Sequence, residues 1–173
     1  FMSSDDKVVA VLAVSDEIKP EAKGFVDQLQ NKGISVAMVS GDRDETSQYV
    51  AKALGVSNVV SEAKPAGKLA ALATMTGPVA FVGDGINDAP ALAKADVGVA
   101  IGTGTDVAIE AADVVMMSGD LSAVVNAVTI SQMTMRNIKQ NLFWAFAYNA
   151  LLIPVAAGVF YPGFGLLLSP ALA

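Results

Sequence analysis

The stretch Val82-Gly83-Asp84-Gly85-Ile86-Asn87-Asp88-Ala89-Pro90-Ala91-Leu92 places two carboxylates and an amide in one short turn, between an apolar run and a helical pattern. Gly85 lets the backbone turn sharply, and Asp88 stands where it can cap the helix that begins there. In the plainest reading Asp84 only forms the turn and Asp88 only caps the helix. Two acids and an amide after a core strand also make a small set of hard oxygen ligands. Mg²⁺ takes such a set while keeping water and substrate phosphate in its shell. Asp84 and Asp88 are therefore the candidate Mg²⁺ ligands, with Asn87 beside them.

Other polar groups end neighbouring apolar runs. Ser40-Gly41-Asp42 offers a hydroxyl and backbone N–H groups to an anionic oxygen, although such turns are common. Lys68 follows Pro65 at a helix start, where it either neutralises phosphoryl charge or is simply a solvated surface lysine. The Gly/Thr loop at 102–106 contains no Lys and no Walker pattern, so it reads as a tight left-handed turn that shapes the pocket. Tyr148 and Asn149 lie in an apolar stretch. Polar groups there serve either function or helix–helix hydrogen bonding.

The elements that must position these groups alternate. Residues 7–14 (KVVAVLAV) form an apolar, β-branched run of the kind found in strands buried on both faces. Pro20 opens a helix with Phe25, Val26 and Leu29 on one face and Gly33 as its stop. Strands are predicted at 35–39, 58–61, 78–82, 97–101 and 114–117. Helices are predicted at 44–54, stopped by Gly55, and at 65–75, 88–94 and 107–112. Short Gly-containing connections between alternating strands and helices predict an α/β fold with a doubly wound parallel sheet. Ligands of such sheets bind at the carboxyl ends of the strands, where Ser40, Asp84 and the 102–106 loop all fall.

The 173 residues carry a net charge of −6 with no Cys and no His. That excludes disulfides, thiolate metal sites and imidazole catalysis from this chain. It also argues against nucleic acid as a partner, since no basic patch would neutralise phosphates. Every Lys, Arg, Asp and Glu lies at or before Lys139. Residues 1–120 read as a water-soluble domain and 121–141 as a connecting helix. Residues 142–160 read as a transmembrane helix of about the required length, with Pro154 kinking it. Residues 161–173 read as a loop and the start of a second span. Arg136 and Lys139 place the N-terminal end of the first span on the cytoplasmic side. The chain begins as if in mid-domain and stops inside an apolar pattern, so a longer polypeptide is expected.

Taken together, Ser40-Gly41-Asp42, Pro65-Ala66-Gly67-Lys68, the string GDGINDAPAL at 83–92 and the 102–106 loop resemble, in order, the phosphorylation domain of P-type ATPases. That domain has the haloacid-dehalogenase fold. Asp16-Glu17-Ile18-Lys19 is similar to the D-x-I-K segment upstream in the same proteins. The resemblance covers nearly the whole chain and implies roles for its residues. Asp84 would bind Mg²⁺ directly and Asp88 would support the metal site through hydrogen bonds. Asn87 and Ser40 would contact the phosphoryl group, with Gly41 and Asp42 at the phosphate, and Lys68 would stabilise its charge. Most members of the family have Thr where Ser40 stands, so the hydroxyl is kept and the methyl lost. The family's nucleophile, the Asp of a D-K-T-G-T motif, has no counterpart in this sequence. The actuator and nucleotide-binding domains and the remaining spans would also have to come from the rest of the polypeptide.

The segment from Asn141 through Gly158 into LLLSP looks like the fifth span and the start of the sixth in heavy-metal P-type ATPases, the copper-exporting branch in particular. The resemblance implies an integral, multi-pass protein in contact with lipid, its catalytic domain cytoplasmic and the plasma membrane its place. It further implies ATP and Mg²⁺ as cofactors, an aspartyl-phosphate intermediate, and Cu⁺ or Ag⁺ held by Tyr148 and Asn149 as cargo. The Cys-Pro-Cys motif and the Met/Ser pattern that complete that ion site are not in this sequence. The zinc-type branch usually carries a Lys in this span, and no Lys follows Lys139. Three readings compete: a copper-exporting ATPase (or its Zn²⁺/Co²⁺ relative), a membrane-anchored haloacid-dehalogenase-like phosphatase, and a tethered Mg²⁺- or nucleotide-sensing module. The phosphatase would need an Asp-x-Asp strand of its own, which 8–14 does not supply.

Overall fold

The computed structural model describes residues 2–4, 7–10, 17–83, 86–102 and 106–165. The chain divides into two compact units, Phe1–Val125 and Asn126–Ala173.

In the first unit, β1 (Met2–Ser4) and β2 (Lys7–Ala10) pair antiparallel. Then follow α1 (Pro20–Asn31), β3 (Ala37–Val39), α2 (Asp44–Leu54), β4 (Asn58–Val60) and α3 (Pro65–Thr74). Next come β5 (Ala80–Gly83), a 3₁₀ turn at Ile86–Asp88, α4 (Ala89–Lys94), β6 (Val97–Ile101), α5 (Asp106–Ala111) and β7 (Val114–Met116). β3 pairs with β4, and β5, β6 and β7 pair in that order, all parallel. Each parallel neighbour is reached through a helix, as the alternating pattern predicts. Among the described residues the strands form three separate sheets rather than one continuous doubly wound sheet. β2 covers the first half of the strand expected at 7–14, whereas β1 and its pairing with β2 were not foreseen; residues 11–16, which include the second half of that expected strand and the start of the D-x-I-K segment, lie outside the described residues.

Local signals place the ends of these elements. α2 stops at Gly55, whose φ of 76° is left-handed, the conformation Gly adopts at no steric cost. β6, a continuous apolar run, is buried from Gly98 to Ile101. α4 packs so closely on it that a Cβ at Gly98 would meet the Leu92 carbonyl oxygen at 2.5 Å. One core cluster joins α3, β5, α4 and β6 through Leu72, Phe81, Ala91, Leu92 and Ala100. A second joins α1 and α2 through Val26, Ala51 and Val56, with Phe25 and Met38 against it.

α6 spans Ser122–Ala156 as one helix, where two segments meeting at Asn141 were predicted. Asp120 starts it, accepting from the Ser122 amide at 2.8 Å and from its hydroxyl at 2.5 Å. Nothing near Asn141 breaks it, because no Gly or Pro stands there. It runs through Pro154 and ends where Gly158 turns left-handed at φ 82°. The short helix α7 (Tyr161–Phe164) occupies what was expected to be a turn. Among the described residues no helix is long and apolar enough to cross a membrane. The uncharged part of α6 begins after Lys139. From Leu142 to its end the helix covers about 22 Å at ~1.5 Å per residue, short of the ~30 Å hydrocarbon core. The expected second span, 166–173, lies outside the described residues.

Candidate phosphate and metal site

The C-terminal end of β5 leads into the acidic turn. Asp84 and Gly85 lie outside the described residues; Asn87 and Asp88 belong to the 3₁₀ turn that follows. Asn87 is exposed, whereas Asp88 is 8% exposed. Asp88 occupies the N-cap position of α4 but makes no side-chain capping hydrogen bond, which overturns the cap expected of it. Its Oδ1 instead accepts from the Lys68 ammonium at 2.5 Å. Lys68 reaches it from the first turn of α3, and the Leu72–Leu92 cluster holds α3 against α4. The lysine is thus no solvated surface residue: the two side chains are 17% and 12% exposed.

Gly83 closes the other side. A Cβ there would lie 2.8 Å from Asp88 Oδ2 and 3.0 Å from both its Cβ and Cγ. The last residue of β5 has to be Gly for the carboxylate to pack against the strand end. This requirement was missed in the sequence, where Gly83 read only as part of a turn.

The Ser40 turn is built by a second set of bonds. The Ser40 hydroxyl donates to Asp42 Oδ2 at 2.8 Å and accepts from the Asp42 amide at 3.1 Å, so Gly41 lies within a closed loop. The segment leaving β4 is laced to it, Glu62 N donating to the Asp42 carbonyl at 2.8 Å and Ala63 N to the Ser40 carbonyl at 2.9 Å. Glu62 is held at φ 52°, a left-handed strain for a residue with a Cβ. Ala63 is buried and lies 3.6 Å from the position a Cβ on Gly67 would take. Ser40, Ala63, α3, Lys68, Asp88 and Gly83 therefore form one connected series across the strand ends.

Three further groups support the turn and were not foreseen. Ser47 is 1% exposed, its hydroxyl 3.5 Å from the Asp42 carbonyl. Ser61 donates to Asp44 Oδ1 at 2.6 Å, and with the Gln48 amide it holds the Asp44 carboxyl below its ordinary pKa. No local signal links Ser61 to Asp44, 17 residues apart in sequence.

Gly102 is left-handed at φ 85°, as a tight turn there requires, and 103–105 lie outside the described residues. Tyr148 and Asn149 sit on α6, in the second unit. Both are exposed, and Asn149 Nδ2 donates to the Ala145 carbonyl at 2.8 Å, leaving its Oδ1 free of that bond.

Among the described residues no group of three or more acidic side chains could hold a metal. Mg²⁺ rarely uses such a cage; it takes one or two carboxylates and completes its shell with water and phosphate oxygens. Among the described residues the turn contributes one buried carboxylate, that of Asp88, which is paired with Lys68.

Residues 2–96 match the haloacid dehalogenase-like hydrolase family, and 69–128 match a second family of the same description. The chain belongs to the haloacid dehalogenase-like hydrolases. Over its whole length it is 53% identical to copper-transporting ATPase 2 of Rhizobium meliloti and 46% identical to a silver-exporting P-type ATPase of Salmonella typhimurium. It spans about a fifth of their length, 21% of each. Its fold is similar to the crystal structure of a zinc-transporting PIB-type ATPase in the E2·Pi state. That match has a TM-score of 0.76 and 32% identity, covering 83% of this chain and 24% of the other.

Proposed function

We propose that this chain supplies the phosphate- and Mg²⁺-binding half of the catalytic site, and part of the ion path, of an ATP-driven exporter of monovalent copper or silver. The observation that carries the catalytic part is the Lys68–Asp88 pair, buried at the strand end next to Asn87. In this reading the Lys68 ammonium and the Asn87 amide receive the oxygens of the transferred phosphoryl group. The Ser40 hydroxyl, whose one proton goes to Asp42 Oδ2 in this structure, would turn from Asp42 to donate to the same group. Donors already held in place stabilise developing charge with little reorganisation, and of these Lys68 is the one largely shielded from water. Asp84 and Asp88 would hold Mg²⁺, which when bound neutralises phosphate charge and orients the group. The nucleophilic aspartate that forms the aspartyl-phosphate belongs to another part of the polypeptide, together with the nucleotide-binding and actuator domains.

α6 supports the transport half of this reading. Leu142, Phe143, Trp144, Phe146, Leu151 and Ile153 are all exposed around it, and a helix apolar on every side belongs inside protein or in lipid. The apolar stretch would enter the bilayer with Arg136 and Lys139 at its cytoplasmic end. Tyr148 and Asn149 offer oxygen ligands to the ion within it. The copper-transporting and silver-exporting relatives are more similar in sequence than the zinc-transporting structure, and this favours a soft monovalent cargo.

The test is ATP hydrolysis by the complete polypeptide in lipid against Cu⁺, Ag⁺, Zn²⁺ and Co²⁺, alongside Asn149→Ala. Stimulation by Cu⁺ and Ag⁺ alone, lost in the variant, is expected. Stimulation by Zn²⁺ or Co²⁺ would keep the pump and overturn its cargo. No metal stimulation would overturn the transport reading.

A further inference from the structure

From Leu121 to Ala173 the sequence holds two charged side chains, Arg136 and Lys139, and no acid. Both are exposed on α6, and among the described residues neither makes an ion pair. Residues three and four apart share one face of a helix, so Gln132, Met135, Arg136 and Lys139 form a single stripe. With Ser131 they line an open cleft of about 450 Å³. The stripe presents a guanidinium fork, an ammonium and an amide, with no carboxylate on the helix to meet them. Such donors suit phosphate, which the fork grips through two oxygens. Depth decides which phosphate. At ~1.5 Å per residue, Lys139 lies ~4.5 Å and Arg136 ~9 Å before Leu142, where the apolar stretch begins. The headgroup layer on each side of a bilayer is about 5–8 Å deep. The two cations therefore straddle the level of lipid phosphates when that stretch lies in hydrocarbon.

We propose that the Gln132–Lys139 stripe of α6 is a binding site for the headgroup phosphate of an anionic phospholipid, in the leaflet where the apolar stretch begins. This rests on the reading that the stretch enters the bilayer, and adds which lipid meets it and where. The Arg136 fork takes two phosphate oxygens, Lys139 meets the same group from one turn nearer the hydrocarbon, and Gln132 donates from one turn behind. Phe143, exposed and four residues beyond Lys139 on the same face, lies along the acyl chains. The chain as a whole carries a charge of −6, which an anionic surface repels, so attraction to such a lipid has to come from this stripe. A zwitterionic headgroup offers the same phosphate, but its own ammonium competes for it and leaves no net charge to attract.

The experiment places the full chain in bilayers of phosphatidylcholine and phosphatidylglycerol, with one or the other lipid brominated. Trp144 is the one tryptophan in the sequence, and its ring centre lies 5.5 Å from that of Phe143, so brominated lipid seated at this face quenches its fluorescence. Phosphatidylglycerol should be preferred over phosphatidylcholine about thirtyfold, from about fivefold for each cation. Arg136→Asn combined with Asn137→Arg keeps charge and composition but carries the guanidinium about 100° round the helix. The preference should then fall to about fivefold, and Lys139→Gln should lower it equally. A preference unchanged in the exchanged variant would show attraction to charge near the bilayer rather than a site, and would overturn the proposal. Equal quenching by the two lipids in the wild type would overturn it and leave the bilayer reading standing. Quenching by neither would overturn both. Loss of the preference on adding inorganic phosphate at constant ionic strength would assign the stripe to free phosphate and overturn the lipid site.

Discussion

Replacing Gly83 with Ala puts a methyl group against Asp88 at three atoms: Oδ2 at 2.8 Å, and Cβ and Cγ each at 3.0 Å. The contact with Oδ2 alone could be relieved by turning the carboxylate. The contact with Cβ could not, because the backbone of the 3₁₀ turn fixes that atom. Ordinary carbon–carbon contacts lie near ~3.5–4.0 Å, so the turn or the strand must retreat by about half an ångström. The Lys68 side chain is long enough to follow the carboxylate over that distance. The cost is therefore that of overpacking, ~1–3 kcal/mol, rather than the ~3–5 kcal/mol of losing one partner of a buried pair. Native-state hydrogen exchange reads this locally, at the amides of β5 and β6. Trp144 fluorescence does not serve, because Trp144 belongs to the other unit. At ~1.36 kcal/mol per tenfold, those amides should exchange roughly five- to 150-fold faster in Gly83→Ala. Exchange within about twofold of wild type would show that the strand end does not need its glycine, and would refute the reasoning.

Gly24 gives the opposite sign. It is an exposed residue within α1 with nothing within 4 Å of the place a Cβ would occupy, so Gly24→Ala should stabilise the first unit by ~0.5–1 kcal/mol. A raised urea midpoint with an unchanged slope is the expected result; a lowered midpoint would contradict it. Ser61→Ala tests the loop at the Ser40 end. The Ser61 hydroxyl, and after it the Gln48 amide, hold Asp44 below the ordinary aspartate value of 3.8. Because the folded pKa is the lower one, Asp44 contributes stability that is present above 3.8 and is lost as pH falls from there through the folded value. In Ser61→Ala the Asp44 carboxyl should titrate nearer 3.8 and the acid-side loss should shrink. Carboxyl-carbon NMR reads this directly, and an unmoved titration would dismiss the Ser61 bond as its cause.

Local chemistry in the sequence determined most of the elements. α2 and β6 occur where an amphipathic run ending at Gly55 and an apolar run beside Gly102 place them. Both signals lie within a few residues of what they specify, so no partner is needed to read them. The same holds for the acidic turn after β5 and for the helix start that carries Lys68. What each of those residues does with its charge depended on residues far away. Asp88 had two local options, a helix cap or a metal ligand; it makes no capping bond and pairs with Lys68. Packing of α3 on α4 through Leu72 and Leu92 delivers a lysine from 20 residues upstream, and a buried carboxylate with an ammonium in reach forms that pair in preference to a weaker cap. The need for Gly83 was likewise invisible until the turn folded back over the strand end. α6 erred in the other direction: the loss of charge after Lys139 was read as a boundary, although a change of solvent does not interrupt backbone hydrogen bonding. The helix continues to Ala156, and the backbone turns left-handed just beyond it, at Gly158. Composition and pattern thus determined the elements and the kinds of chemistry on offer, and tertiary packing decided which charges meet, since burial makes pairing obligatory only once the chain has folded.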